Sequence, residues 1–293
     1  MRPERAKHTH PKAFACQFMR CPITPVRHIM NYQPACVKNH AARTEVTMPS
    51  VYLSPSTQEY NPYITGGTEE YYMNLIADAV EPYLAASGIE YSRNTPNMTA
   101  GSSIREANRG NFDLYVAMHS NAAPSSLAGQ LSGTDVYYSR GSARGRQAAE
   151  IFVKNLKEIY PQPQKVQARP TATISEVTKT MAPAVLIEYA YHDNAQDAEW
   201  IINNIDPIAR ATALSITQYF GLPFIEPQQA REGRVRISSG YLNIRSAPSA
   251  SAPITGRAYN GDTIYVLGRS GNWYSVNYNG LEGYANASYI SLP

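Results

Sequence analysis

Cysteine is confined to the first 36 of the 293 residues, at Cys16, Cys21 and Cys36. The rest of the chain therefore forms no disulfide, binds no iron–sulfur cluster and offers no cysteine nucleophile. Apolar runs are short; none approaches the roughly 18 residues that mark a membrane-spanning helix, and the N-terminus lacks the apolar core of a secretory signal. Two motifs are missing as well. There is no Gly-x-Ser-x-Gly elbow to present a serine nucleophile and no glycine loop to cradle phosphate. Histidine is scarce after residue 47, where only His119 and His192 occur. What remains is the composition of a globular chain, 43% hydrophobic and 17% charged, long enough for two domains.

The first 47 residues stand apart. They carry eight Lys/Arg against two Asp/Glu, four of the six histidines and five prolines, with no helical or strand period. Residues 1–47 read as a basic disordered tail, or as the product of a start codon placed too early, since Met48 directly precedes the first strand. A zinc knuckle from Cys16, Cys21, His28 and Cys36 has a spacing that fits no common finger. The tail lacks the interleaved aromatics of a nucleic-acid binder, so nucleic acid is not an expected partner.

From Val51 to about Pro223, strands and helices alternate. "VYLS", "IEYSR", "DLYVAMH", "GTDVYYS" and "PAVLIEYAY" read as strands. "TEEYYMNLIADAVEPYLAASG" reads as a helix capped by Thr68 and stopped by Gly88, with Tyr72, Leu75, Ile76, Ala79 and Leu84 on its apolar side. Further helices are expected over "SIREANRGN", "ARGRQAAEIFVKNLKEIY" and "DAEWIINNIDPIARATALSITQYFG", the last with Pro207 near its middle. The pattern predicts an α/β fold over 48–223, a mixed, mostly parallel sheet covered by helices on both faces. A linker over 224–233 leads into 234–293. There, short strands broken by glycine and polar turns predict a small all-β barrel.

Few side chains are candidates for chemistry. His119 ends an apolar strand, "LYVAMHSN", where open α/β sheets place their ligands. Glu188 sits inside the apolar strand "PAVLIEYAYHDN", where an unpaired carboxylate costs several kcal/mol, so it needs a partner, a metal or a proton-carrying task. Glu69 and Glu70 open the first long helix.

At these residues the chain resembles the zinc-dependent N-acetylmuramoyl-L-alanine amidases of the amidase-3 class. "MHSNA" is similar to their histidine strand and "PAVLIEYAYHDN" to their final strand. Gly88, Arg93, Arg105, Asn108 and Asp113 fall where the connecting pattern puts them, and "GTDVYY" matches the strand beyond, so the likeness covers about 51–221. The tail, through "LNIRSAPS", "GDTIYVL" and "NWYSVNYNGLEGYANASYI", resembles a bacterial SH3 domain, with Tyr241, Trp273, Tyr274 and Tyr284 shared between barrel core and wall recognition.

The resemblance implies a peptidoglycan hydrolase that cuts the amide between N-acetylmuramic acid and L-alanine, tethered to the wall by its SH3 module. It implies one zinc per chain held by Glu70 and His119, with Glu188 as proton carrier and Asn121 touching substrate. Glu69 is the less favoured neighbour of Glu70. The third family ligand, a histidine, is Thr57 here, and a neutral hydroxyl is a poor zinc ligand. Gln58 and His192 are candidate substitutes, and a water-completed site is a third alternative. The competing reading is a wall-binding protein whose metal site has decayed. A monomer acting at the cell wall, exported without a recognisable signal or released by lysis, completes the expectation.

Overall fold

The computed structural model describes residues 48–293. The basic tail, its alternative as a misplaced start and the four-residue zinc knuckle lie outside the described residues.

Six strands form the first sheet: β1 (Ser50–Pro55), β2 (Glu90–Arg93), β3 (Leu114–Asn121), β4 (Thr134–Ser139), β5 (Val166–Thr171) and β6 (Ala184–Tyr191). Their order is β2-β1-β3-β6-β4-β5. Only the β4–β6 pairing is antiparallel, so β4 and β5 run against the other four. This is the expected mixed, mostly parallel sheet. β5, which carries Pro170 and no clean alternation, escapes sequence pattern because an edge strand is defined by its neighbour more than by its own residues.

Helices cover both faces. On one side α1 (Glu69–Ala86), α3 (Ala143–Lys157), α5 (Ala195–Asn203) and α6 (Ile205–Phe220) pack on Val51, Leu53, Val116, Met118, Val185 and Ile187. On the other, α2 (Ala100–Gly110) and the four-residue α4 (Ser175–Thr178) cover Tyr52, Tyr115, Ala117 and Leu186. The long helical region expected after β6 is broken at Asn204. Pro207 has no N–H to give the carbonyl of residue 203, so the second helix must start anew and takes proline in its first turn.

α1 begins as expected, with the Thr68 hydroxyl accepting from the Tyr71 amide at 3.2 Å. Its buried face is a correction, however. Glu69, Met73, Ile76, Ala77, Val80 and Leu84 are buried, whereas Tyr72 and Ala79 only flank the core and Leu75 is half-buried outside it. The stripe runs through a carboxylate, which an apolar-only reading passes over. The family-pattern residues are braces: Arg93 donates to Asp78, Glu81 and Asn74 of α1, and Asn108 exchanges two hydrogen bonds with Lys179 and Met181 ahead of β6.

The C-terminal part is a seven-stranded antiparallel sheet around Val235, Ile244, Ile264, Val276 and Ala285. Its first strand, β7 (Arg231–Val235), starts within the stretch expected as linker. The barrel is seated on the C-terminal end of α1, both belonging to one compact unit. Tyr284 is fully buried there with Ala86 and Ile225, and its hydroxyl donates to the Ser87 carbonyl. Gly88, at φ +66°, fits because a Cβ would lie 2.8 Å from the Tyr284 ring. Tyr284, which the sequence leaves between barrel core and wall recognition, is therefore an interdomain anchor.

Candidate active site

The site lies at the carboxyl ends of β1, β3 and β6. His119, the last inward residue of β3, is directly opposite Glu188 of β6, and Glu188 is opposite Asp135 of β4 on its other side. Because these are register partners, their side chains leave the same face of the sheet. A bulge between His119 and Asn121 ends the regular pairing and lets the β3 and β6 tips diverge around the site.

Both ring nitrogens of His119 are engaged. Nδ1 is 2.8 Å from Glu69 Oε1, and Nε2 is 3.1 Å from Glu176 Oε2. Glu69 also accepts from Asn61 Nδ2 at 2.7 Å and from the Ser120 amide at 3.3 Å. Glu176 accepts from the Tyr115 hydroxyl at 2.7 Å and the Ser54 hydroxyl at 3.0 Å. Gln58 reaches in from the loop after β1, its side-chain amide 3.5 Å from His119 Nδ1. A cavity of about 370 Å³ opens onto His119 and Glu176 between Ser56, Thr57, Gln58 and Asn94.

Three carboxylates around one imidazole set the electrostatics. Burial disfavours the charged ring of His119, but its hydrogen bonds to Glu176 and Glu69 outweigh that and hold it well above the ordinary histidine value. Burial pushes Glu69 and Glu176 up, and the bonds from His119 pull both below the usual carboxylate range. Glu188 has no such bond. Burial, opposed by the His119 charge and reinforced by Glu69, Asp135 and Glu176, raises it to about 7. Its Oε2 is buried without a hydrogen-bond partner among the described residues.

The sequence-derived candidates are sorted by this geometry. His119 and Glu188 come together. Glu69, and not Glu70, meets His119: Glu69 is 1% exposed, while Glu70 is half-buried one position around the helix and its carbonyl accepts from Asn74. Helix period decides between them, since Glu69 is four and seven residues before the buried Met73 and Ile76. His192 is buried elsewhere, its Nδ1 3.0 Å from the Ser120 hydroxyl and its ring stacked on Tyr63. Asn121 caps its own turn by accepting from the Ala122 amide at 2.9 Å. Glu176 was missed, and only its place in a short apolar helix, "ISEVT", could have drawn attention to it.

Among the described residues, no group of three or more His, Cys, Asp or Glu side chains is placed to hold a metal ion. The set nonetheless suits one once an amide is counted: an imidazole, a carboxylate and a carboxamide meet at Nδ1, and Nε2 is held by an outer carboxylate, as metal-binding histidines commonly are.

Comparison with protein families matches residues 56–218 to the N-acetylmuramoyl-L-alanine amidases and residues 240–291 to the bacterial SH3 domains. A search of curated proteins finds no match. Among solved structures, N-acetylmuramoyl-L-alanine amidase AmiC2 of Nostoc punctiforme is similar at 20% identity and a TM-score of 0.51, covering 59% of this chain and 97% of its own. The amidase Ami1 from Mycobacterium smegmatis is similar at 17% identity, TM-score 0.51 and the same two coverages. An amidase from Clostridium difficile 630 matches at 15% identity with a TM-score of 0.52, again covering 59% and 97%. The likeness to these structures carries the fold, and the family match, which spans more than half of the sequence, carries the class. The chain belongs to the N-acetylmuramoyl-L-alanine amidase family, the peptidoglycan amidases, and bears a cell-wall-binding bacterial SH3 domain at its C-terminal end.

Proposed function

We propose that this chain hydrolyses the amide between N-acetylmuramic acid and L-alanine with Glu188 as its proton carrier. The observation that carries the reading is a carboxylate in register with His119, with one buried oxygen free of any hydrogen bond among the described residues. Such a group can take a proton from an attacking water and then give it to the departing amine, while the water oxygen joins the carbonyl carbon and the C–N bond breaks. His119 and Glu69 are the residues that would hold the family's zinc. The chemistry zinc supplies when bound is polarisation of the scissile carbonyl and a more acidic water.

Asn121, at the rim beyond His119, is assigned to substrate contact, and the cavity beside Gln58 and Asn94 to the approach of the muramyl–peptide junction. The SH3 domain concentrates the enzyme on an insoluble substrate. We assign the chain to the cell wall as a monomer acting on glycan-linked stem peptides; no helix among the described residues is long and apolar enough to cross a membrane. The competing reading, a wall binder with a decayed site, is disfavoured because a decayed site gains nothing from keeping a buried Glu188 oxygen unpaired.

The test is cleavage of a soluble muropeptide followed by analysis of the new ends. A free L-alanine amino group and an intact lactyl carboxylate are expected. Cleavage within the peptide, or none under any metal supplement, overturns the reading.

A further inference from the structure

Where the family has a histidine, this chain has Thr57, and the donor that reaches the centre is one residue further on. Gln58 brings its amide within 3.5 Å of His119 Nδ1, the same nitrogen that lies 2.8 Å from Glu69 Oε1. His192, the other candidate, is engaged by Ser120 through both its hydroxyl and its carbonyl. Gln58 presents Nε2 toward the ring, with Oε1 accepting from Asn61 at 3.1 Å. A half-turn of the carboxamide exchanges the two ends. Asn61 then gives up Gln58 but keeps its 2.7 Å bond to Glu69 Oε2, and the turned Nε2 faces the Tyr60 hydroxyl, already 3.5 Å from the amide.

The other side of the ring decides which nitrogen is offered. Glu176 accepts from Tyr115 and Ser54 through Oε1, which leaves Oε2 to accept a hydrogen bond from His119 Nε2. A carboxylate so anchored fixes the ring orientation and leaves Nδ1 for a cation, the arrangement of a carboxylate–histidine–metal relay.

We propose, resting on the amidase reading, that Gln58 replaces the family's missing histidine. The carboxamide oxygen of Gln58, Oε1 of Glu69 and Nδ1 of His119 are the zinc donors, and Glu176 is the positioning residue that turns Nδ1 toward them. A neutral amide oxygen is a weaker partner for zinc than imidazole, so this centre holds zinc less tightly than a two-histidine site and exchanges it more readily.

The experiment titrates Zn²⁺ into the full chain against a chelator of known affinity, with variants followed by circular dichroism to establish folding. Wild type is expected to bind one Zn²⁺. Gln58→His is expected to tighten binding and Gln58→Leu to weaken it by more than Glu176→Gln, whose expected loss is about 10–100-fold. The Co²⁺-loaded protein supplies a second readout, in that Gln58→His should shift the visible absorption bands and Glu176→Gln should change them less. Unchanged affinity in a folded Gln58→Leu, or a wild type that binds no Zn²⁺, overturns the proposal. The amidase reading fails separately: zinc bound in a Gln58-dependent way by a protein that never cleaves muropeptide leaves the donors standing and removes the reaction. Cleavage that ignores Gln58→Leu does the reverse.

Discussion

Helix α1 has two buried ends, and they are built on opposite principles. Its first turn delivers Glu69 into a pocket of three carboxylates and one imidazole, where every stabilising bond is polar. Its last turn meets the barrel through Ala86, Ile225 and the ring of Tyr284, with the Tyr284 and Ser275 hydroxyls donating to the Ser87 and Ala85 carbonyls. Charge is buried where chemistry needs a perturbed carboxylate, and apolar surface where two parts need only adhere. The consequence is that the wall-binding barrel is not a bead on a loose string. It is fixed to the far end of the helix that supplies Glu69.

The largest loss is expected at the polar end. Glu188→Gln is expected to lower kcat on a soluble muropeptide by about 10²–10⁴-fold while leaving sedimentation with cell walls intact. A variant that keeps more than a tenth of the rate removes Glu188 from the reaction. At the apolar end, Tyr284→Ala should cost about 3–5 kcal/mol, the usual loss for a fully buried aromatic. If the seam is real, one cooperative thermal transition of the α/β and barrel parts should shift together, and an unshifted α/β transition would show the domains to be independent.

The polar end also carries a pH dependence. Glu188 is raised from 4.5 to about 7 on folding, so its contribution favours the fold below 4.5 and is lost as pH rises through 7. Stability should therefore fall by roughly 1–3 kcal/mol across that window, discounted for residual solvent access, and Glu188→Gln should flatten the fall. Over the same interval, activity should rise as the carboxylate becomes available to accept a proton. Denaturant midpoints and initial rates measured at matched pH values check both. The smallest effect separates two neighbours. Glu70→Gln should change stability by less than about 0.5 kcal/mol and spare activity, whereas Glu69→Gln should impair both. Equal effects would contradict the helix phase seen here.

Much of this molecule was legible in its sequence. The apolar run ending at His119, the acid within "PAVLIEYAY" and the glycine-broken tail gave the sheet, two site residues and the barrel, because strand period and the cost of a buried charge act locally. β5 and α4 were not legible, as each is short and owes its form to neighbours. The choice of Glu69 over Glu70 lay within reach of helix period alone, yet motif spacing pointed one residue away.

Local pattern is therefore enough for the class of fold, the order of its parts and the residue types available for chemistry, with one family histidine missing. Tertiary structure alone decided that Glu176, 57 residues from His119, takes the ring's second nitrogen. It alone put Gln58 rather than His192 beside the first, and seated Tyr284 in the seam with α1. These are contacts between segments far apart in the chain, and their energies depend on distances of a few ångströms that only packing sets.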